Sequence, residues 1–223
     1  MGDIGAVHCA DTFQSTYYIK ESQLLLTLYV DDILLSGPKE SHQKFWEMLQ
    51  KHSEIEDPTP VGRVFGRRHI ITRDEHGASM KLDMSDFAAN ACTAYEELSG
   101  CVLKKASTPY LPEGSLVDND FTVRGEMAQD ASKVLMKILW SARLARPDLM
   151  KGISDLTRKI TTWSRADDRR LYRLMSYLKG TPDYMLEGHI RDDPSTLHLS
   201  LYTDADHASG IQDVKSRSGM FDA

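Results

Sequence analysis

Two apolar runs flank a short acidic centre near the start of the chain. Residues 23–36 read QLLLTLYVDDILLS, so that Asp31 and Asp32 lie between two stretches of mainly aliphatic residues. An apolar–polar–apolar pattern of this length predicts two buried strands joined by a tight turn. We therefore expect a β-hairpin whose turn carries the acidic pair.

Further elements follow this hairpin. Pro38 precedes apolar residues at helical spacing, which predicts a helix to about Ser53. Residues 64–72 and 78–82 are strand-like and are separated by a polar turn. A second helix is expected to end at Gly100, because glycine commonly terminates helices in the left-handed conformation.

The second half of the chain has a different pattern. Residues 104–124 contain two prolines, a glycine and no hydrophobic periodicity, which predicts a linker or an extended strap. Residues 125–182 predict three helices, of which the last carries apolar residues at helical spacing. Residues 184–190 and 197–202 are strand-like and are expected to pair with each other. The predicted fold class is α+β.

Composition limits the kind of protein. With 41% apolar residues among 223, the chain can bury one sizeable core or two small ones. The longest apolar run, residues 24–30, is too short to cross a bilayer, and no charged-then-apolar leader is present. Three cysteines without a CxxC pair predict reduced thiols. We expect an intracellular protein with no membrane partner.

Charge is distributed unevenly along the chain. The net charge is −6, but residues 133–180 hold twelve Lys and Arg against four Asp, a local balance of +8 that leaves −14 elsewhere. A basic segment in an acidic chain suits a surface that follows phosphates, although a solvated helical face gives the same pattern. The candidate nucleic-acid-binding residues are Arg158, Lys159, Arg165, Arg169, Arg170 and Arg173.

The acidic pair has two interpretations. Asp is unfavourable in strands and adjacent like charges repel, so Asp31 and Asp32 at the end of an apolar hairpin need an explanation. A magnesium ion supplies one, because it binds few carboxylates and retains positions for water and substrate phosphates. Two such ions can stabilise both oxygens of an in-line phosphoryl transfer. An ordinary Asp-rich turn is the alternative.

The acidic pair belongs to a longer motif. Tyr29-Val30-Asp31-Asp32, within LYVDDILLSG, resembles the YxDD box of reverse transcriptases in the form found in copia-type (Ty/copia, Pseudoviridae-like) retrotransposon Pol polyproteins. Further blocks resemble that family in the same order along the chain: Phe65-Gly66, Thr108-Pro109, Ala145-Arg146-Pro147-Asp148, Tyr177-Leu178-Lys179-Gly180-Thr181, and Tyr202-Thr203-Asp204-Ala205-Asp206 with Lys215-Ser216-Arg217-Ser218-Gly219. His207 stands where the family usually has Trp.

The resemblance implies an organisation in four segments. Residues 1–103 would be the C-terminal part of a reverse-transcriptase palm, with the YVDD hairpin, a helix and a β-hairpin. Residues 104–124 would be the strap, residues 125–182 a helical thumb or connection unit, and residues 183–223 the first strands of a truncated RNase H-like sheet.

The resemblance also implies roles for particular residues. Asp31 and Asp32 would be catalytic metal-binding carboxylates of the polymerase, and Tyr29 would line the site beside the primer end. Asp204 would be a catalytic metal ligand of RNase H, and Asp206 a weaker metal ligand. The implied cofactor is Mg²⁺ or Mn²⁺, and both reactions would use two-metal chemistry.

The implied function is that of a fragment of an RNA-directed DNA polymerase with RNase H. In the full-length protein the partners would be an RNA template, a DNA primer, an RNA–DNA hybrid and dNTPs, in cytoplasmic particles or the nucleus. A third palm carboxylate and further RNase H acids are expected outside this chain, so we expect the isolated chain to be inactive. The alternative is a catalytically inactive relic that binds nucleic acid or protein.

Overall fold

The fold is α+β, as predicted. A computed structural model of the chain describes residues 6–9, 15–198, 200–206 and 217–222. Within them, the helices are α1 Lys39–His52, α2 Ser85–Ser99, α3 Asp118–Thr122, α4 Ala131–Leu144, α5 Met150–Thr157 and α6 Arg165–Gly180. The strands are β1 Ala6–His8, β2 Thr16–Ile19, β3 Leu24–Tyr29, β4 Asp32–Ser36, β5 Arg63–Val64, β6 Arg67–Asp74, β7 Gly77–Asp83, β8 Leu186–Ile190, β9 Leu201–Asp206 and β10 Arg217–Asp222.

The first four strands form an antiparallel sheet in the order β1-β2-β3-β4. Side chains alternate between the two faces, so Leu24 and Leu26 of β3 are fully buried while Leu25 is exposed. The buried face packs with Phe45 and Leu49 of α1 in one cluster. This small core fixes the hairpin formed by β3 and β4 against the helix that follows it.

A second sheet has the order β5-β6-β7-β8, and this order corrects one prediction. The strand predicted at residues 184–190 was expected to pair with residues 197–202, but β8 lies beside β7 and β9 pairs with β10. Lys81 and Glu187 form an ion pair of 3.4 Å at this edge. Gly77 also favours the arrangement, because a Cβ atom there would collide with the Ile190 carbonyl oxygen.

Helices α2, α4, α5 and α6 share the largest hydrophobic core. Its fully buried members include Leu135 and Ile138 of α4, Ile153 of α5, and Leu171 and Leu174 of α6. The helix stop predicted at Gly100 is present, with a φ of 67° at that residue. The three helices predicted within residues 125–182 are therefore present, and α2 packs with them.

The described residues form two compact units. One lies within Met1–Ile71 and Met80–Gly188, and the other within Thr72–Ser79 and His189–Ala223. These units differ from the four segments expected from sequence, whose assignment to palm, strap, thumb and RNase H stays a prediction. None of the described helices has the length and apolar character needed to span a membrane.

Candidate functional site

The YVDD segment forms the tight turn predicted for it. Tyr29 and Asp32 are cross-strand partners, so Val30 and Asp31 are the two residues of the hairpin loop. Of these two, Val30 has a positive φ, 52°, as in a type II′ turn. Both aspartates are exposed, and the Val30 side chain is 87% exposed. The turn therefore presents two adjacent carboxylates to solvent.

A second hairpin turn contacts the first. Phe65 and Gly66 join β5 to β6 and both have positive φ, 55° and 78°. The rings of Tyr29 and Phe65 pack edge to face with their centroids 4.9 Å apart. The Phe65 backbone N–H donates a long hydrogen bond of 3.4 Å to the Asp32 carboxylate. We call this pair of turns, Val30–Asp31 and Phe65–Gly66 with the flanking Tyr29 and Asp32, the two-turn site.

Among the described non-glycine residues, positive φ occurs at two residues of the two-turn site and at Gln23. Val30 and Phe65 hold left-handed conformations that β-branched and bulky residues rarely adopt. Each such residue costs on the order of 1–3 kcal/mol, and strain of this kind clusters at active sites and ligand clamps. Two strained residues at touching turns are an argument for function that the sequence pattern alone does not contain.

Arg67 adds a positive charge that sequence reasoning missed. Its guanidinium carbon lies 6.0 Å from the centroid of the Phe65 ring, and Nη1 donates to the Leu144 carbonyl oxygen at the end of α4. Burial lowers the pKa of Arg67. Its Nε is buried and has no hydrogen-bond partner. The available signal was the position of Arg67 directly after the Phe65-Gly66 block.

The donor set of the two-turn site fits a hard divalent cation that is held by two carboxylates and completes its coordination with water and substrate phosphates. Asp31 and Asp32 supply carboxylate oxygens, and in the described part of the chain no hydrogen bond engages the Asp31 carboxylate. Magnesium can be held by one or two carboxylates with water and substrate phosphates. No cluster of three or more His, Cys, Asp or Glu suited to a metal occurs among the described residues. The site therefore offers two ligands.

The predicted RNase H residues lie in β9. In the backbone register, Asp204 is opposite Gly219 and Asp206 is opposite Arg217 of β10. The side chains of both aspartates lie outside the part of the structure that is described, as does His207. Their roles as metal ligands stay predictions.

Four of the six candidate nucleic-acid-binding residues have partners within the chain. Arg165 and Arg169 form ion pairs with Asp120 of α3, Arg170 forms one with Asp167, and Arg173 donates to Thr108. Arg158 is exposed and Lys159 is half-buried. The role of all six in nucleic-acid binding stays a prediction. Four of them form ion pairs or hydrogen bonds within the chain.

Two of the family-like blocks form one hydrogen-bonded network around the buried Arg146. The Arg146 side chain is 4% exposed and donates to the Asp148 carboxylate at 2.8 Å. It also donates to the carbonyl and hydroxyl oxygens of Thr181, at 3.0 and 2.8 Å. The Tyr177 hydroxyl donates to Asp148 at 2.8 Å. These blocks therefore join the start of α5 to the end of α6, which is a structural role.

Comparison of the chain with protein-family models, with curated proteins and with solved structures finds no match.

Proposed function

We propose that this chain derives from the RNA-directed DNA polymerase of a copia-type retrotransposon and carries the C-terminal part of the palm. The observation that supports this most directly is the position of YVDD at a strained two-residue turn with both carboxylates exposed. A polymerase needs carboxylates that reach the primer end without being buried. The turn meets that requirement, whereas a structural Asp-rich turn does not need a valine at positive φ.

The surrounding residues support distinct tasks at this site. Asp32 is oriented by the Phe65 N–H, and Tyr29 is held by the Phe65 ring. Asp31 is the better placed of the two aspartates to bind a cation, since its carboxylate is not engaged elsewhere in the described chain. A bound divalent ion would stabilise the charge on the phosphate oxygens during nucleotidyl transfer. The strained turn would keep Asp31 in place for that ion.

The C-terminal segment of the proposal is the beginning of an RNase H-like sheet. It rests on the sequence block around Asp204 and on an antiparallel strand pair, β9 with β10, at that block. Asp204 would be the catalytic carboxylate there and Asp206 an additional one.

A second candidate function is a binding module without chemistry. The observation that favours it is that the described residues bring together only two carboxylates at the two-turn site. The arginines of α6 would then be the functional groups, and binding would be to the phosphate backbone of nucleic acid.

We expect Mn²⁺ to bind at the two-turn site. A paramagnetic Mn²⁺ ion held by Asp31 should broaden the NMR signals of nearby amides, namely residues 29–32, Phe65 and Gly66. Asp31→Asn should remove most of this broadening, because it replaces one of only two carboxylates.

The chain contains a matched control for this experiment. Asp192 and Asp193 are also adjacent and exposed, but Asp193 accepts hydrogen bonds from Ser195. Asp192→Asn should leave the broadening at residues 29–32 unchanged. Equal broadening at both acidic pairs would mean that any exposed Asp-Asp binds the ion, and the proposed metal site would be wrong.

We also expect the isolated chain to show no polymerase or RNase H activity with Mg²⁺. With two ligands at the two-turn site, an ion would be held mainly by water, and misplacement of reacting groups by about 1 Å can lower a rate on the order of 100-fold. The measurements are primer extension on an RNA template and cleavage of a labelled hybrid. Extension that is present in the unmodified chain and absent in Asp31→Asn would contradict this prediction and exclude the binding-module function.

A further inference from the structure

The strap, residues 104–124, is attached to α6 by a series of hydrogen bonds and ion pairs. Among its residues Asp120 is the only buried one. Arg173 donates to the backbone carbonyl of Thr108 at 2.8 Å and to its hydroxyl at 2.6 Å. The Ala106 N–H donates to the Ser176 carbonyl at 3.0 Å. A segment that buries a carboxylate and no large apolar side chain gains little from the hydrophobic effect.

Asp120 is the centre of this attachment. Its carboxylate accepts from Arg165 Nε at 2.8 Å, from Arg169 Nη1 at 2.6 Å and from the Val117 N–H at 3.1 Å. The Val117 hydrogen bond and the two guanidinium groups together lower the pKa of Asp120, against the effect of burial. Asp120 is therefore ionised at neutral pH, and its single negative charge is shared by two of the arginines on α6.

The remaining arginines of this face contact the strap without pairing with a strap carboxylate. Arg170 pairs with Asp167 at 3.0 Å, and its guanidinium carbon lies 5.5 Å from the centroid of the Phe121 ring in the strap. Arg173 is held by Thr108. We call Arg165, Arg169, Arg170 and Arg173 the arginine face.

We propose that the strap is an autoinhibitory cover of the arginine face, in which Asp120 occupies the position of a nucleic-acid phosphate. This inference rests on the proposed function, because the ligand is the phosphate backbone of an RNA–DNA hybrid. Two guanidinium groups that converge on one carboxylate have the geometry with which arginines bind a phosphate. A hybrid phosphate and Asp120 therefore compete for the same donors.

The contacts that hold the strap are of a kind that a polyanion can replace. The Arg165 and Arg169 side chains are each 43% exposed, so their pairing with Asp120 is screened by salt. Segments with few buried apolar contacts open locally at a low free-energy cost. A phosphate backbone offers the same arginines several negative charges in a row, whereas the strap offers one buried carboxylate.

The direct test is the affinity for a fluorescein-labelled RNA–DNA hybrid at fixed salt. Asp120→Asn keeps the size of the side chain and removes its charge, so the strap should release the arginine face. The apparent affinity is lowered by the fraction of molecules in which the strap is open. If that fraction is about one tenth in the unmodified chain, removing the Asp120 charge should raise the apparent affinity by about tenfold.

Asp118→Asn is the matched control. Asp118 lies in the same short helix and is exposed, and the variant changes the net charge by the same amount. We expect its affinity to stay within about twofold of the unmodified chain, as for a charge that is not part of the competing site. If Asp118→Asn raised the affinity for the hybrid as much as Asp120→Asn, the effect would come from net charge alone, and the proposal would be overturned. Adding Arg165→Gln and Arg169→Gln to Asp120→Asn should abolish the gain.

Amide hydrogen exchange separates failure of the cover from failure of the proposed function. In the closed strap, the amides of Asp120 and Val123 donate to the Val117 and Asn119 carbonyl groups. They should exchange at least several-fold faster in Asp120→Asn, and faster in the unmodified chain as salt is raised. Unchanged protection, in a variant whose far-UV circular dichroism shows it folded, overturns the cover. Faster exchange with no hybrid binding in any variant overturns nucleic-acid binding by this face, and with it the competition proposed here.

Discussion

Replacing Arg146 by Met is expected to lower the free energy of unfolding by about 1–3 kcal/mol, because the buried guanidinium group no longer donates its hydrogen bonds. Methionine fills similar volume but donates no hydrogen bond. The Asp148 carboxylate would lose its cation, and the Thr181 carbonyl oxygen would lose a donor at 3.0 Å. The guanidinium also lies over the Tyr177 and Tyr184 rings, at 5.7 and 5.4 Å from their centroids. Urea denaturation followed by far-UV circular dichroism measures the change.

Arg143→Gln is the control for this prediction. Arg143 is exposed on the last turn of α4, three residues before Arg146, and the variant removes the same charge. Surface substitutions of this kind usually change stability by less than about 0.5 kcal/mol. Equal losses in the two variants would show that the network contributes nothing beyond charge.

The difference between Arg146→Met and the unmodified chain should depend on pH. Burial alone raises the pKa of Asp148, but hydrogen bonds from Arg146 and Tyr177 outweigh it and hold the pKa below the ordinary value of 3.8. A carboxyl group with a lowered pKa stabilises the fold above that ordinary value, and the contribution is lost as pH falls through the folded-state pKa. The destabilisation by Arg146→Met should therefore be full at pH 6 and become smaller below pH 3.8.

Asp168→Ala is expected to lower the free energy of unfolding by about 2–4 kcal/mol, because it leaves buried donors without a partner. The Asp168 carboxylate accepts from the Glu126 and Met127 N–H groups at 2.6 and 3.2 Å and from Trp163 Nε1 at 2.6 Å. Trp163 is 4% exposed, so water cannot easily replace the lost acceptor. Thermal and urea unfolding measure the effect.

Asp183→Ala removes an exposed carboxylate just after α6 and serves as the comparison. Its stability should match that of the unmodified chain. If Asp168→Ala were equally harmless, the three hydrogen bonds would contribute no net stability, and the start of the helical unit would be held by apolar packing alone.

The elements predicted with least ambiguity were those whose signals are local. The hairpin of residues 23–36 was predicted from two apolar runs on either side of an acidic centre, and α6 from the helical spacing of apolar residues such as Leu171 and Leu174. The helix α1 begins directly after Pro38 and ends at His52, next to the predicted end at about Ser53. Each of these signals is contained within a single element, so the sequence pattern was sufficient.

The missed features depend on residues far apart in the chain. Strand β8 lies beside β7, about one hundred residues earlier, and Gly77 leaves space for the β8 backbone. Alternating leucines at residues 197–201 favoured the nearer partner. The contact between Tyr29 and Phe65 likewise joins two hairpins. The first loop residue of each turn has a positive φ but is not a glycine, so the residue type gave no signal of that conformation. Such contacts depend on tertiary packing between distant residues, so the pattern within a short stretch of sequence does not predict them.

The ion pairs of the α6 arginines also could not be predicted from the sequence. Their number and spacing predicted a basic surface, but a single acid in the strap, Asp120, pairs with two of them. Nothing in the run from residue 104 to 124 distinguished Asp120 from Asp118. Only the fold shows that one is buried against α6 and the other is exposed.

The left-handed valine of the first turn also bears on evolutionary history. Val30 is a poor choice for its backbone conformation, and Gly or Asn would adopt a φ of 52° with less strain. Under the proposed function, selection would retain the less stable residue for its effect on the neighbouring carboxylates. In copies of the proposed element without activity, mutation at this codon would no longer be opposed. A copy with glycine or asparagine between the tyrosine and the two aspartates would then have an unstrained turn, even where both aspartates survive.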